Sequence, residues 1–86
     1  MTTLPERIAA ARAAIDPVFL DTPLLRRTAL DDILGVELAL KVETLNPIRS
    51  FKGRGTEALA AGLPTGAALV CASAGNFGQG LARAGT

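Results

Sequence analysis

Asn46-Pro47-Ile48-Arg49-Ser50-Phe51-Lys52-Gly53-Arg54-Gly55 is the stretch on which the fold turns, and Ser73-Ala74-Gly75-Asn76-Phe77-Gly78 follows it downstream. The first segment puts a lysine directly behind an aromatic residue, at the start of an expected helix from Phe51 to Ala61. Its glycines cluster at the front, where backbone must come close to something. The second segment follows an unbroken apolar run, Ala67 to Ala72, bounded by Gly66 and Ser73. Such a run suits a central parallel strand covered on both faces. A glycine-rich turn between strand and helix presents free backbone N–H groups and the positive end of a helix dipole, which together favour a carboxylate or phosphate.

Working outward from these segments, Thr3 and Glu6 are spaced as a capping box, with Pro5 tolerated in the first turn. Ile8, Ala11 and Ile15 then recur on one helical face, and the helix stops at Asp16-Pro17. Asp21-Thr22-Pro23 is turn chemistry, and Leu24-Leu25 reads as a short extended piece. Thr28 is placed to cap a brief helix over Ala29 to Leu34, ended by Gly35. Val36 to Glu43 alternates, with Val36, Leu38, Leu40 and Val42 on one side and Glu37, Lys41 and Glu43 on the other, which predicts a strand with one protected face. Leu63-Pro64-Thr65-Gly66 is a turn. This order of helix, strand, helix, strand, helix indicates an α/β architecture.

Composition narrows the function classes. With 86 residues and 49% apolar content, the chain is too apolar to be disordered and short for an α/β enzyme domain. The run from Leu81 to Thr86 reads as an unfinished helix, so the sequence is expected to be an N-terminal fragment, inactive and prone to aggregate by itself. Nine basic and eight acidic residues leave a net charge of +1 with no basic stripe, and phenylalanine is the only aromatic type, so nucleic acid is not an expected partner. No apolar run approaches a membrane span, and a cytoplasmic location is expected. The single cysteine, Cys71, cannot form an internal disulfide and reads as a small buried hydrophobe. Without histidine, and with one cysteine, a metal site built on His or Cys has almost no support.

Lys52 is the first candidate for chemistry, because a primary amine forms a Schiff base with an aldehyde cofactor. Arg49 and Arg54 lie near it in sequence, and neighbouring positive charge lowers the basicity of an amine. A cation at a helix N-terminus opposes the macrodipole, so this placement invites a functional reason. Phe51 can pack flat on an aromatic cofactor or in a core. Asn76 adds an amide able to bond a phenolic oxygen or a carboxylate. The glycines at 75, 78 and 80 do not make a dinucleotide fingerprint, and no P-loop is present.

Taken together, the two segments resemble the N-terminal part of the fold-type II pyridoxal-phosphate enzymes, the family of serine/threonine dehydratases, threonine and cysteine synthases and tryptophan synthase β. Glu43 to Gly55 is similar to the family's lysine motif, and Ser73-Ala74-Gly75-Asn76-Phe77-Gly78-Gln79-Gly80 to its substrate-carboxylate loop. The resemblance, which starts at about Asp21, implies a two-lobed α/β fold with pyridoxal 5′-phosphate in the cleft. Residues 1–50 would belong to the larger lobe, after the N-terminal helix, and residues 51–86 would begin the smaller. It implies that Lys52 carries the cofactor and removes the substrate α-proton, that Phe51 lies against the pyridine ring, and that Asn76 bonds its 3′-oxygen. Ser73, Ala74, Gly75, Asn76 and Phe77 would grip the carboxylate of an amino acid substrate, in a full-length protein expected to be a homo-oligomer.

Within the family the loop is most similar to that of the dehydratases. Gly53 stands where the cysteine and threonine synthases carry an acidic residue. Ala74 occupies the place of the second serine of serine racemases, and alanine cannot move a proton. Phe77 departs from the histidine of bacterial threonine dehydratases, which leaves serine and threonine both open as substrates. The alternatives are a replacement reaction of the synthase type and, from a different class, a non-catalytic α/β module that binds a small anion at the Ser73 to Asn76 turn.

Overall fold

The structure, a computed structural model, describes residues 1–86. Helix α1 (Leu4–Ala14) begins at a closed capping box: the Thr3 N–H donates to Glu6 Oε2 at 2.7 Å, and the Glu6 N–H donates to Thr3 Oγ1 at 3.4 Å. None of its residues is buried. Ala11 is half-buried, as is Ile15 at the cap, whereas Ile8 stays exposed, so only part of the anticipated apolar face is covered. The Thr3 backbone and hydroxyl hold the Glu6 carboxyl below the ordinary carboxylate range. A lowered folded-state pKa contributes stability that is present above the ordinary value and lost as pH falls through the lowered one. Amide exchange in the first turn of α1 is therefore expected to accelerate below the ordinary carboxylate range, and Glu6→Gln to abolish that dependence.

Asp16 caps a 3₁₀ turn, Pro17–Phe19, by accepting the Val18 N–H at 3.0 Å, and the turn delivers Phe19 into the interior at 0% exposure. Strand β1 (Leu24–Arg26) pairs antiparallel with β2 (Ala39–Lys41), Leu25 standing opposite Leu40. Between them, α2 (Ala29–Leu34) is capped by Thr28 and ended by Gly35 at φ 68°, a left-handed position suited to glycine. The strand anticipated from Val36 to Glu43 shortens to three residues. Its first half is diverted, because the Leu38 N–H donates to Asp31 Oδ1 of α2 at 3.2 Å instead of to a strand.

Helices α3 (Lys52–Ala61) and α4 (Asn76–Ala84) form the most extensive packing in the molecule. Thr56 touches Gly80, and Ala60 and Ala84 line one cavity of about 270 Å³. Both pairs have the same sequence separation, so the helices run parallel and in step. The interior is small and mixed. Phe19 and Leu81 are its apolar members, joined by Thr22, Asn46, Ser50 and Thr56 and by Gly53 and Gly80.

Ala67 to Ala72 departs from expectation. The segment lies along α4, with Ala67, Leu69 and Cys71 lining a cavity of about 310 Å³ against Gly78, Leu81 and Ala82. It forms no ladder, and Val70 is 94% exposed, so it is not a strand covered on both faces. The physical reason is that a strand is defined by its neighbours: β1 and β2 pair only with each other, and nothing lies beside this segment to accept its hydrogen bonds. Cys71 is correspondingly exposed, which corrects the reading of a buried thiol. The architecture is thus a small mixed α/β unit.

Candidate active site

The turn that leads into α3 is held from within by Asn46. Its Nδ2 donates to the carbonyl oxygens of Glu43 (3.0 Å) and Ser50 (2.7 Å), and its Oδ1 accepts the N–H groups of Ile48 (3.1 Å) and Ser50 (3.3 Å). Two donors and two acceptors on one buried carboxamide close the loop on itself, and Arg49 is held at φ 58° within it. A non-glycine residue in that region costs about 1–3 kcal/mol and persists only where the surroundings over-determine it. The sequence reading gave Asn46 no role, although Asn-Pro is a turn signal that points to such a loop.

Phe51 and Lys52 emerge from this turn into solvent. Phe51 is 61% exposed, and Lys52 Nζ stands 5.1 Å from the centre of its ring. The amine is not buried and makes no hydrogen bond or ion pair. Lys41, the chain's other lysine, donates from Nζ to the Thr22 carbonyl at 2.6 Å. Gly53, next in line, is buried because the Phe19 ring packs directly on its backbone; a Cβ there would stand 2.8 Å from Phe19 Cζ and closer still to two other ring atoms. Phe19 is what Gly53 approaches, whereas a Cβ at Gly55, the other front glycine, would meet nothing within 4 Å. Ser50 Oγ, two residues ahead of Lys52, is buried without a hydrogen-bond partner.

At the head of α4, Ser73 Oγ accepts the N–H groups of Gly75 (3.2 Å) and Gly78 (3.1 Å). Its oxygen is thereby engaged as a helix cap, while its hydroxyl proton stays available to donate. The backbone N–H groups of Ala74, Asn76 and Phe77 find no acceptor within the chain, and the Asn76 carboxamide makes no hydrogen bond. Ser73, Ala74, Gly75, Asn76 and Phe77 all lie on the exposed surface. The register that sets Thr56 against Gly80 and Ala60 beside Ala84 also sets Lys52 level with Asn76, so the amine-bearing end of α3 and the free N–H groups of α4 share one end of the helix pair.

No helix is long and apolar enough to cross a membrane. No solved structure matches the chain. It is 43% identical over 65 residues to the chloroplastic threonine dehydratase 1 of Solanum lycopersicum, covering 72% of this chain and 11% of that protein. It is 41% identical over 80 residues to the biosynthetic L-threonine dehydratase of Mycobacterium leprae, covering 90% of this chain and 19% of the relative. The corresponding enzyme of Corynebacterium glutamicum is 41% identical over 78 residues, covering 87% and 18%. The chain thus spans between 11% and 19% of the length of these curated relatives. Residues 15–86 match the family described as pyridoxal-phosphate dependent enzyme, and the chain belongs to that family.

Proposed function

We propose that the chain carries the lysine and the substrate-facing turn of a dehydratase that eliminates water from a hydroxy amino acid, serine or threonine, to give a 2-keto acid and ammonia. One observation carries this reading: Lys52 and the unpaired N–H groups around Asn76 share one end of the α3–α4 pair. The relatives' names favour the dehydratase over a replacement reaction. In this reading residues 51–86 begin the smaller lobe and residues 1–50 belong to the larger, with Phe19 against Gly53 at their junction.

The donor set suits pyridoxal phosphate. It offers a primary amine with no partner, an exposed aromatic ring beside it, a free carboxamide at position 76 and an orphaned hydroxyl at Ser50. When bound, the cofactor supplies an electron sink for charge developing at the substrate Cα. Lys52 Nζ would hold the cofactor by its aldehyde carbon until the substrate's amino group takes that place, and the amine so freed would move the proton at Cα. Phe51 would offer an apolar face to the pyridine ring, and the Asn76 carboxamide would bond its 3′-oxygen. The Ser73 O–H and the N–H groups of Ala74, Asn76 and Phe77 bind and orient the substrate carboxylate. Ala74 has no proton to move, so only one face of Cα is served. Water leaves from Cβ and returns when the enamine product hydrolyses, releasing ammonia.

The two lysines make a sharp test. After incubation with excess pyridoxal phosphate, borohydride reduction and peptide mapping, the pyridoxyl group is expected predominantly on Lys52, because Lys41 is engaged with the Thr22 carbonyl. Ammonia release from serine or threonine should need no second nucleophile. Label shared equally between Lys41 and Lys52, or absent from both, overturns the proposal in favour of an anion-binding module; dependence on a second nucleophile overturns it in favour of a synthase.

A further inference from the structure

We infer that Arg54 and Glu43, joined through Thr22, are positioning residues for Lys52; this rests on the reading of Lys52 as the cofactor-bearing amine. Arg54 follows Lys52 by two residues, which places it about 200° around the helix from it. The two cations of the first turn therefore leave α3 on opposite sides. Arg54 Nη2 donates to Glu43 Oε1 at 2.8 Å and to Thr22 Oγ1 at 3.1 Å, and the Thr22 hydroxyl in turn donates to Glu43 Oε1 at 3.0 Å. Glu43 lies two residues beyond β2, and Thr22 two residues ahead of β1. The three side chains thus tie the first turn of α3 to the end of the two-stranded sheet.

Two features make this tie more than an ordinary surface ion pair. The first is burial: the side chains are 34% and 17% exposed, whereas the pairs Arg12–Asp21 and Arg83–Asp16 are more open on both partners. The second is need. Helix α3 has no side-chain cap and no acidic residue in its first turn, which carries two cations at the positive end of the helix dipole. Glu43 supplies the missing negative charge from outside the helix. With the Asn46 turn fixing the chain on one side of Phe51-Lys52 and Arg54 fixing it on the other, the root of the Lys52 side chain is held from both directions. The pair is engaged at one oxygen only, since Glu43 Oε2 and Arg54 Nε are buried without partners. Thr22 therefore matters, as the third member that orients a single-contact pair.

The test uses the intact protein with bound pyridoxal phosphate and reads geometry instead of turnover. Arg54→Met is expected to lower the ratio of Lys52 to Lys41 adduct after borohydride reduction by roughly tenfold. It should also weaken the visible circular dichroism per bound cofactor several-fold while the far-ultraviolet spectrum holds; the melting midpoint is expected to fall, because Glu43 loses its charged partner, so both signals are read well below it. Arg54→Lys, which keeps a donor for Glu43 and Thr22, should restore part of both signals. If Arg54→Met does not fold, Thr22→Val carries the test, because it keeps the ion pair and removes only the hydroxyl that orients it; the same direction of change is expected. Wild-type adduct ratios and dichroism in a folded Arg54→Met, or failing that in Thr22→Val, overturn the positioning role. Failure of the unsubstituted protein to label Lys52 overturns the cofactor reading itself, so the two failures are distinct.

Discussion

Gly53→Ala is expected to destabilise the intact protein by about 1–3 kcal/mol, although alanine is the better helix former by about 1 kcal/mol. The added Cβ would run into the Phe19 ring. That ring has nowhere to go: it is fully buried, and the Arg83 guanidinium lies 5.4 Å from its centre. Gly53→Asp should cost more, because it adds to the overlap a carboxylate pressed against an aromatic ring. Removing a charge from water without a partner costs several kcal/mol, whereas an acid at a helix N-terminus gains only about 0.3–1 kcal/mol from the dipole. A double-mutant cycle gives the decisive sign. In a Phe19→Ala background, itself destabilised by about 3–5 kcal/mol, the overlap is gone and Gly53→Ala should become neutral or stabilising. Chemical denaturation of the four proteins measures it, and an equal loss in both backgrounds would show that the ring is not the reason for the glycine.

This pair also revises how Gly53 is understood. By resemblance, a glycine after the lysine separates this chain from the synthases. In the structure it has a packing cause, since any side chain at that position requires Phe19 to be elsewhere. The difference from an acidic residue is therefore first a statement about what fills the space beneath α3, and only through that about chemistry.

What was legible in the sequence is what local chemistry fixes. The Thr3/Glu6 box, the Thr28 cap, the Gly35 stop and the α3 boundary at Ala61 depend on residues within a few positions of one another, and they are found where the sequence places them. Ala67 to Ala72 reads as a covered strand and is not one, because apolarity reports a tendency to be buried, whereas a ladder depends on a neighbour that a single segment cannot reveal. Within the candidate site, Lys52 and the Ser73 to Phe77 turn carry their signal in their residue types. Asn46, Phe19, Glu43 and Thr22 do not, because what they do depends on which distant residues they meet: Phe19 meets Gly53, and Thr22 meets Arg54 thirty-two positions away. Burial here is also inverted relative to simple expectation. Four polar side chains but only two large apolar ones are buried, so hydropathy patterns point away from the two buried residues of the turn before Lys52, Asn46 and Ser50.

Gly80→Ala is the second substitution with a large expected effect, and it tests the helix register on which the functional proposal rests. Its Cβ would stand 2.6 Å from Thr56 Oγ1 and 3.0 Å from Thr56 Cγ2, with Ile48 Cδ1 at 3.3 Å on another side. Thr56 cannot easily yield, because its hydroxyl lies between the carbonyl oxygens of Lys52 (3.1 Å) and Gly53 (3.2 Å) and the residue is 1% exposed. The helices must separate or slide, at a cost of about 1–3 kcal/mol against a propensity gain near 1 kcal/mol. Because Thr56 is bonded to the carbonyl of Lys52 itself, such a shift is transmitted to the residue that bears the amine. Gly80→Ala is therefore expected to lower both the melting midpoint and the yield of pyridoxyl adduct on Lys52. Thr56→Ala removes both colliding atoms and strands no backbone group, since the two carbonyls keep their places in the helix ladder. The double variant Thr56→Ala/Gly80→Ala should recover adduct yield above Gly80→Ala alone, a non-additivity of the kind expected between touching residues. Loss of stability without loss of adduct in Gly80→Ala would mean that the amine and the Asn76 turn do not depend on this contact for their common placement.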